Sequence, residues 1–261
     1  MNGCPICKNS REKIFNAKVL HKYDVDFVHC KSCGLIQAKD PYWLEEAYKD
    51  PIATLDTGIL SRNINLSKTV SCVLYFLFDQ KGKYVDIAGG YGIFTRLMRD
   101  IGYDFYWNDI YCENIFSKGF ETKNTFLPFD AITAFEVFEH VQDPIEFINE
   151  SLINTGAPTI IFTTQLYKGD PPKPGEWWYY AFESGQHISF YKLDSLKHIA
   201  SRLEMNLYSN RYIHMLTKKH VSAIGYYVMT SKIMYLISDL IQVFIKSKKL
   251  DDQVRLRNNG I

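Results

Sequence analysis

Two cysteine pairs open the chain, and no other feature restricts so strongly what its first residues can form. Cys4-Pro5-Ile6-Cys7 and Cys30-Lys31-Ser32-Cys33-Gly34 are separated by about 22 residues. Two thiolates two residues apart can share one metal ion from a tight turn, and two such turns complete a tetrahedron. A redox dithiol needs only one such pair. Cys4, Cys7, Cys30 and Cys33 are therefore expected to hold one zinc ion. Four thiolates close the coordination sphere, so the metal is expected to be structural. Gly34 supplies a permissive backbone just past the second turn. His29 is expected beside the site rather than on the metal, and Cys72 and Cys112 as free thiols.

Thiols at metal spacing suit a reducing compartment. The first residues lack a basic stretch followed by an apolar one, so no secretory signal is read. The late apolar run 224–245 is interrupted by Lys232, Asp239 and Gln242, which argues against a transmembrane helix. The expected location is cytoplasmic. With 46% hydrophobic and 23% charged residues, the chain has the balance of a folded globular protein. Its 30 Lys and Arg face 29 Asp and Glu, for a net charge of +1. No bulk field attracts nucleic acid, so none is expected as a partner.

The hydrophobic pattern divides the chain into four parts: a zinc module over 1–40, a helical lead-in over 41–79, a nucleotide-binding domain over 80–220, and a helix with a polar, frayed tail over 221–261. Short apolar strands are read at 83–88, 105–107, 131–135 and 159–163, with a helix at Ile93–Ile101 and another through Phe147 and Ile148. Strands alternating with helices imply a parallel sheet covered on both faces.

The most informative strand ends in a glycine turn: Val85-Asp86-Ile87-Ala88-Gly89-Gly90-Tyr91-Gly92-Ile93. A strand, a small-residue turn and a helix N-terminus bring backbone amides against a ligand. Asp109 follows Gly92 by about 17 residues, where an acid can accept hydrogen bonds from both ribose hydroxyls.

This turn resembles motif I of the class I S-adenosylmethionine methyltransferases, usually D/E-x-G-x-G-x-G, with Ala88 in place of the first glycine. A second block, Phe129-Asp130-Ala131-Ile132-Thr133-Ala134-Phe135-Glu136-Val137-Phe138-Glu139-His140-Val141-Gln142-Asp143-Pro144, is similar to the fourth-strand segment of that family. The resemblance covers roughly residues 80–200. It implies an α/β, Rossmann-like class I methyltransferase fold, with a mostly parallel seven-stranded sheet, helices on both faces and a small N-terminal zinc-ribbon-like module. It implies S-adenosylmethionine as cofactor, with Asp86 near its amino-acid end and Ala88, Gly89, Gly90 and Gly92 passing beside it. Asp109 would bind the ribose, and Phe135 and Glu136 would end a strand beside the cofactor. Arg62 is a further candidate for the cofactor carboxylate, because arginine suits bidentate carboxylate recognition.

The third block is Glu176-Trp177-Trp178-Tyr179-Tyr180, then Gly185-Gln186-His187-Ile188-Ser189-Phe190-Tyr191. A similar G-Q-H-I-S-F-Y segment follows the fifth strand in bacterial methyltransferases of this zinc-bearing type. Methyl transfer to a hydroxyl needs in-line positioning and removal of a proton. His187 is the first candidate for the base, with Glu183 and Tyr179 to orient it or the acceptor. His140 would sit at the rim. Either histidine could instead only brace its loop, and the aromatic run could stack on a sugar ring or lid the pocket.

Zinc-bearing relatives include the C-methyltransferases of nucleotide-linked deoxysugars, which carry a further C-terminal domain for which this chain is too short. The expected reaction is therefore O-methylation of a sugar or sugar nucleotide in glycan or secondary-metabolite synthesis. The rival is a non-catalytic, methyltransferase-like module that binds protein or RNA. Apolar residues at helical spacing between 233 and 244 suggest a helix that packs on its own domain or on a second copy, or that contacts a membrane surface.

Overall fold

The computed structural model describes residues 3–49, 56–258 and 260. It forms two units, each assembled from separated stretches of chain. The first takes residues 1–53, 135–151 and 162–218, and the second takes 54–134, 152–161 and 219–261.

The chain begins in the first unit with a hairpin of β1 (Glu12–Val19) and β2 (Tyr23–His29), in antiparallel register from Glu12 opposite His29 to Val19 opposite Tyr23. Leu20 and His21 both take left-handed backbone, φ 51° and 55°, the twist a tight hairpin turn requires. β3 (Ile36–Ala38) pairs antiparallel with β2, and the short α1 (Leu44–Ala47) follows. In the second unit come α2 (Ile59–Leu77), β4 (Lys83–Ile87), α3 (Ile93–Ile101), β5 (Asp104–Asn108) and β6 (Ala131–Ala134). The helical lead-in read over 41–79 thus becomes α1 and α2, and its residues 50–55 lie outside the described ones. The boundary between the units falls within α4 (Pro144–Thr155) and β7 (Thr159–Thr163). β8 (Ser189–Phe190), α5 (Leu193–Arg202), β9 (Asn206–Asn210) and β10 (Ile213–Thr217) belong to the first unit. α6 (Ala223–Met229), α7 (Lys232–Phe244) and α8 (Lys249–Asn258) belong to the second.

In the second unit β4 lies between β5 and β6 and is parallel to both, with Val85 level with Tyr106 and Ile132. Every residue of β6 and β7 is buried. That is why both read as apolar runs rather than alternating patterns, as strands covered on two faces do. The strand order is β5-β4-β6-β7 in the second unit and β7-β10-β9 in the first. This makes six strands among the described residues, where the resemblance implied seven. The strand inside the G-Q-H-I-S-F-Y segment does not join them. β8 pairs with β3, Phe190 opposite Ile36 and Ser189 opposite Gln37, and completes the sheet β1-β2-β3-β8. The reason is apolar: Phe27, Ile36, Trp43, Tyr180 and Phe190 share one core, and Trp43 donates its indole N–H to the Gly185 carbonyl at 2.8 Å.

At the C-terminus α7 packs on α2 around Cys72, Met234 and Ile241. Lys68 pairs with Asp239 at 2.9 Å and Tyr235 with Asn65 at 2.8 Å. The other face of α7 exposes Ile233, Leu236, Leu240 and Phe244; the side chain of Ile237 lies outside the described residues. No helix among the described residues is long and apolar enough to cross a membrane. The tail expected to fray is instead ordered as α8. Asp252 on α8 is buried and bridges Arg99, at 2.7 and 2.9 Å, and Arg96, at 2.8 Å. Arg99 is itself only 2% exposed and lies over the Phe120 ring at 3.8 Å. A buried guanidinium needs a carboxylate, and a polar tail gives no apolar periodicity to reveal that it supplies one.

Candidate active site

The glycine turn lies wholly in the second unit. β4 ends at Ile87, and Ala88, Gly90 and Gly92 then take φ of 52°, 53° and 82°. The chain folds back on itself, and α3 starts with its first amides facing the turn. A Cβ on Gly89 would lie 2.9 Å from both Asp86 Oδ2 and Trp107 Cδ1, and one on Gly92 would lie 2.8 Å from Asn114 Oδ1. Packing therefore requires glycine at both. Ala88 accepts the left-handed conformation at about 1–2 kcal/mol.

Two acids border this turn. Asp86 is 3% exposed and accepts a hydrogen bond from Thr133 Oγ1 at 2.6 Å. Burial pushes its carboxyl up to about 7; the Thr133 bond opposes that rise and the charge of Asp109 adds to it. No cationic side chain forms an ion pair with Asp86 among the described residues, so a positively charged ligand group would relieve it. Asp109 accepts backbone N–H groups from Gly90 at 2.9 Å, Tyr111 at 2.7 Å and Cys112 at 2.9 Å. These occupy about three of the four lone-pair directions of a carboxylate. Arg62 is held by Asp56 through two bonds, at 3.1 and 2.5 Å.

Phe135 and Glu136 follow β6 along the chain, in the first unit. Glu136 takes left-handed backbone, φ 54°. Its N–H donates to Thr163 Oγ1 at 2.8 Å, and its carboxylate accepts from the same hydroxyl at 2.7 Å.

The first unit also brings His140 and His187 together. Their rings lie 5.0 Å apart at 82°, although 46 residues separate them in sequence. The carboxylate beside them is Glu139, fully buried, with one ligand atom from each of the three residues within 4.8 Å of the others. His187 Nδ1 sits 2.7 Å from the Tyr179 carbonyl. A carbonyl only accepts, so Nδ1 carries the hydrogen and Nε2 the lone pair. His140 Nδ1 meets Tyr48 Oη at 3.0 Å. Burial, and then the neighbouring His187, hold the His140 imidazole well below its ordinary range, so it is neutral. Burial, and then Glu139 and Glu136, push the Tyr179 phenol well above its own.

Glu183, expected to orient the base or the acceptor, is exposed. Sequence reasoning passed over Glu139, although the Glu139-His140 dipeptide stands in the quoted block, and Tyr48, which carries no motif. In the aromatic run, Tyr179 and Tyr180 are buried in the core and Trp178 is 72% exposed.

The cysteines form a separate centre in the first unit. Cys4 and Cys33 Sγ lie 3.5 Å apart, Cys7 and Cys30 Sγ 3.4 Å, and all four within 4.8 Å. Tetrahedral zinc with bonds of about 2.3 Å places its sulfurs about 3.8 Å apart, so the donor set fits one ion. The two turns are built alike. Lys8 N–H bonds Cys4 O at 2.9 Å and Gly34 N–H bonds Cys30 O at 2.8 Å, and Lys8 and Gly34 are both left-handed. α5 braces both: Arg202 donates to Pro5 O and Ile6 O at 2.8 and 2.7 Å, and Ser195 to Cys33 O at 2.8 Å.

The family model described as "Methyltransferase domain" matches residues 65–210, more than half of the chain. No curated protein matches. Among solved structures the chain is similar to an O-methyltransferase family 2 protein from Planctomyces limnophilus in complex with apigenin, at 15% identity and TM-score 0.37, over 53% of this chain and 51% of that one. A putative O-methyltransferase from Nostoc punctiforme is 9% identical at TM-score 0.41, over 67% and 66%. Human N-acetylserotonin methyltransferase in complex with S-adenosylmethionine is 12% identical at TM-score 0.41, over 69% and 68%. The chain thus spans about half to two thirds of these structures, and likenesses this remote identify no substrate.

Proposed function

The chain belongs to the methyltransferase-domain family, and from that premise we propose that it is an S-adenosylmethionine-dependent enzyme methylating a hydroxyl of a small molecule, a sugar or sugar nucleotide. The observation that carries the reading is Asp86, a buried carboxyl without a cationic ion-pair partner among the described residues, under a turn that packing restricts to glycine at two positions. Bound S-adenosylmethionine would supply a methyl group on a positively charged sulfur.

In this reading Asp86 meets the ammonium end of the cofactor and Asp109 shares its remaining acceptor capacity with the ribose. Ala88, Gly89, Gly90 and Gly92 let the backbone approach, and Phe135 and Glu136 flank the cofactor. Arg62 turns to the cofactor carboxylate in competition with Asp56. The acceptor hydroxyl gives up its proton at the histidine pair, where His187 Nε2 carries the available lone pair. Tyr179 fixes that tautomer through its carbonyl, and half-buried, neutral His140 keeps a second positive charge away. Glu183 and Trp178, both exposed, meet the acceptor. The four cysteines hold a structural zinc that takes no part in the chemistry.

We further propose that the protein acts in the cytoplasm, in glycan or secondary-metabolite synthesis. The exposed face of α7 would serve a homodimer or a peripheral membrane contact. Purified protein with methyl-labelled S-adenosylmethionine and a panel of sugars and sugar nucleotides tests the reading. Label should pass to a carbohydrate, and His187→Ala should lower turnover about 10²- to 10⁴-fold with cofactor affinity intact. Cofactor binding without transfer to any acceptor would favour a non-catalytic binding module, and unchanged turnover in His187→Ala would remove its role.

A further inference from the structure

The cluster of Glu139, His140 and His187 has the composition of a metal site as well as of a base. We infer that these three residues bind one divalent cation of the class that accepts imidazole and carboxylate together, such as Mn2+, Fe2+, Co2+ or Zn2+.

The first argument is distance. Three ligands on one side of an ion, each bonded at about 2.1 Å, stand about 3 Å from one another. The three ligand atoms lie within 4.8 Å of one another, so side-chain rotations that move each by about 1 Å at most close the cluster on one ion. The second, independent argument is the outer shell. Metal-bound histidines are characteristically held through their other ring nitrogen, which fixes tautomer and orientation. His187 Nδ1 is held by the Tyr179 carbonyl at 2.7 Å, which leaves the lone pair on Nε2, and His140 Nδ1 is held by Tyr48 Oη at 3.0 Å. Two imidazoles and one carboxylate occupy one side of an ion and leave other positions open for oxygen ligands.

The consequence for the reaction rests on the proposed oxygen acceptor; the cation site rests on the cluster alone. In the loaded protein His187 Nε2 would be a metal ligand instead of the base proposed for the metal-free protein. The acceptor oxygen takes an open position, and its proton leaves to solvent. An acceptor with two neighbouring oxygens would occupy two open positions and bind in preference to one with a single hydroxyl.

The test is a titration of Mn2+ into the zinc-loaded full chain, read by loss of the free Mn2+ paramagnetic resonance signal. Manganese prefers oxygen and nitrogen donors and does not displace zinc from four thiolates. One saturable equivalent per chain is expected, weakened at least tenfold by Glu139→Gln or His187→Ala and about tenfold by Tyr48→Phe. No saturable binding up to millimolar Mn2+, or undiminished binding in folded Glu139→Gln and His187→Ala, would overturn the inference. If those variants fail to fold, proton resonance of the wild type decides. Bound Mn2+ must broaden the His140 and His187 ring signals before those of the other histidines, and uniform broadening overturns the site. Calorimetry with S-adenosylmethionine on the same sample separates the two claims: a cation site without cofactor binding would count against the methyltransferase reading alone.

Discussion

Replacing Asp86 by Asn tests the chemistry of the glycine turn through stability, with no substrate needed. An aspartate ionises at about pH 3.9 in an unfolded chain, and Asp86 in the folded protein at about 7. A group whose folded pKa is raised contributes stability that is fully present below the unfolded value and is lost as pH rises through the folded one. Above pH 7 the folded protein therefore carries a buried charge that weakens it by about 4 kcal/mol at most. Asn keeps an oxygen for the Thr133 hydroxyl, which donates at 2.6 Å, and never ionises. Urea unfolding of Asp86→Asn should show a gain over wild type of several kcal/mol at pH 8, shrinking to about 1–2 kcal/mol at pH 5. The same variant should lose affinity for S-adenosylmethionine, since a neutral amide no longer attracts the cofactor's ammonium. A gain of equal size at both pH values, or a variant less stable than wild type at pH 8, would refute the buried-charge argument.

Other consequences follow from the geometry. Ala88→Gly relieves left-handed backbone at φ 52° and should raise stability by about 0.5–1 kcal/mol by denaturant unfolding, whereas Gly89→Ala forces a 2.9 Å contact with Asp86 and Trp107 and should abolish cofactor binding in calorimetry. Acid-released metal, counted by a colorimetric chelator, should give one zinc per chain in wild type and none in Cys30→Ser, which should also unfold at lower temperature because Arg202 and Ser195 then brace empty turns. Asp252→Ala leaves Arg99 buried without its bidentate partner and should cost about 3–5 kcal/mol, seen as early unfolding and as rapid amide exchange in α8.

Much of the glycine turn was legible because its determinants are local. The turn from Asp86 to Gly92 sits between a short apolar strand and an amphipathic helix, and Asp109 lies at a spacing that chain geometry sets. β4, α3 and β7 fall where the hydrophobic pattern puts them. The histidine cluster was only partly legible. His140 and His187 stood out as titratable residues in quoted blocks, but nothing in their spacing shows that they meet, or that Glu139 lies beside them. Their meeting depends on β8 pairing with β3, a contact between residues more than 150 positions apart that no periodicity encodes. α8 was missed for a related reason. Its attachment is one buried ionic contact, Asp252 with Arg99, rather than an apolar stripe.

The central claim is that the glycine turn binds S-adenosylmethionine, and calorimetric titration of the purified chain measures it most directly. We predict saturable binding of one cofactor per chain, tightening as pH rises from 6 to 8 while Asp86 ionises, and lost in Asp109→Ala. No heat of binding at any accessible concentration, or undiminished binding by Asp109→Ala, would contradict the account.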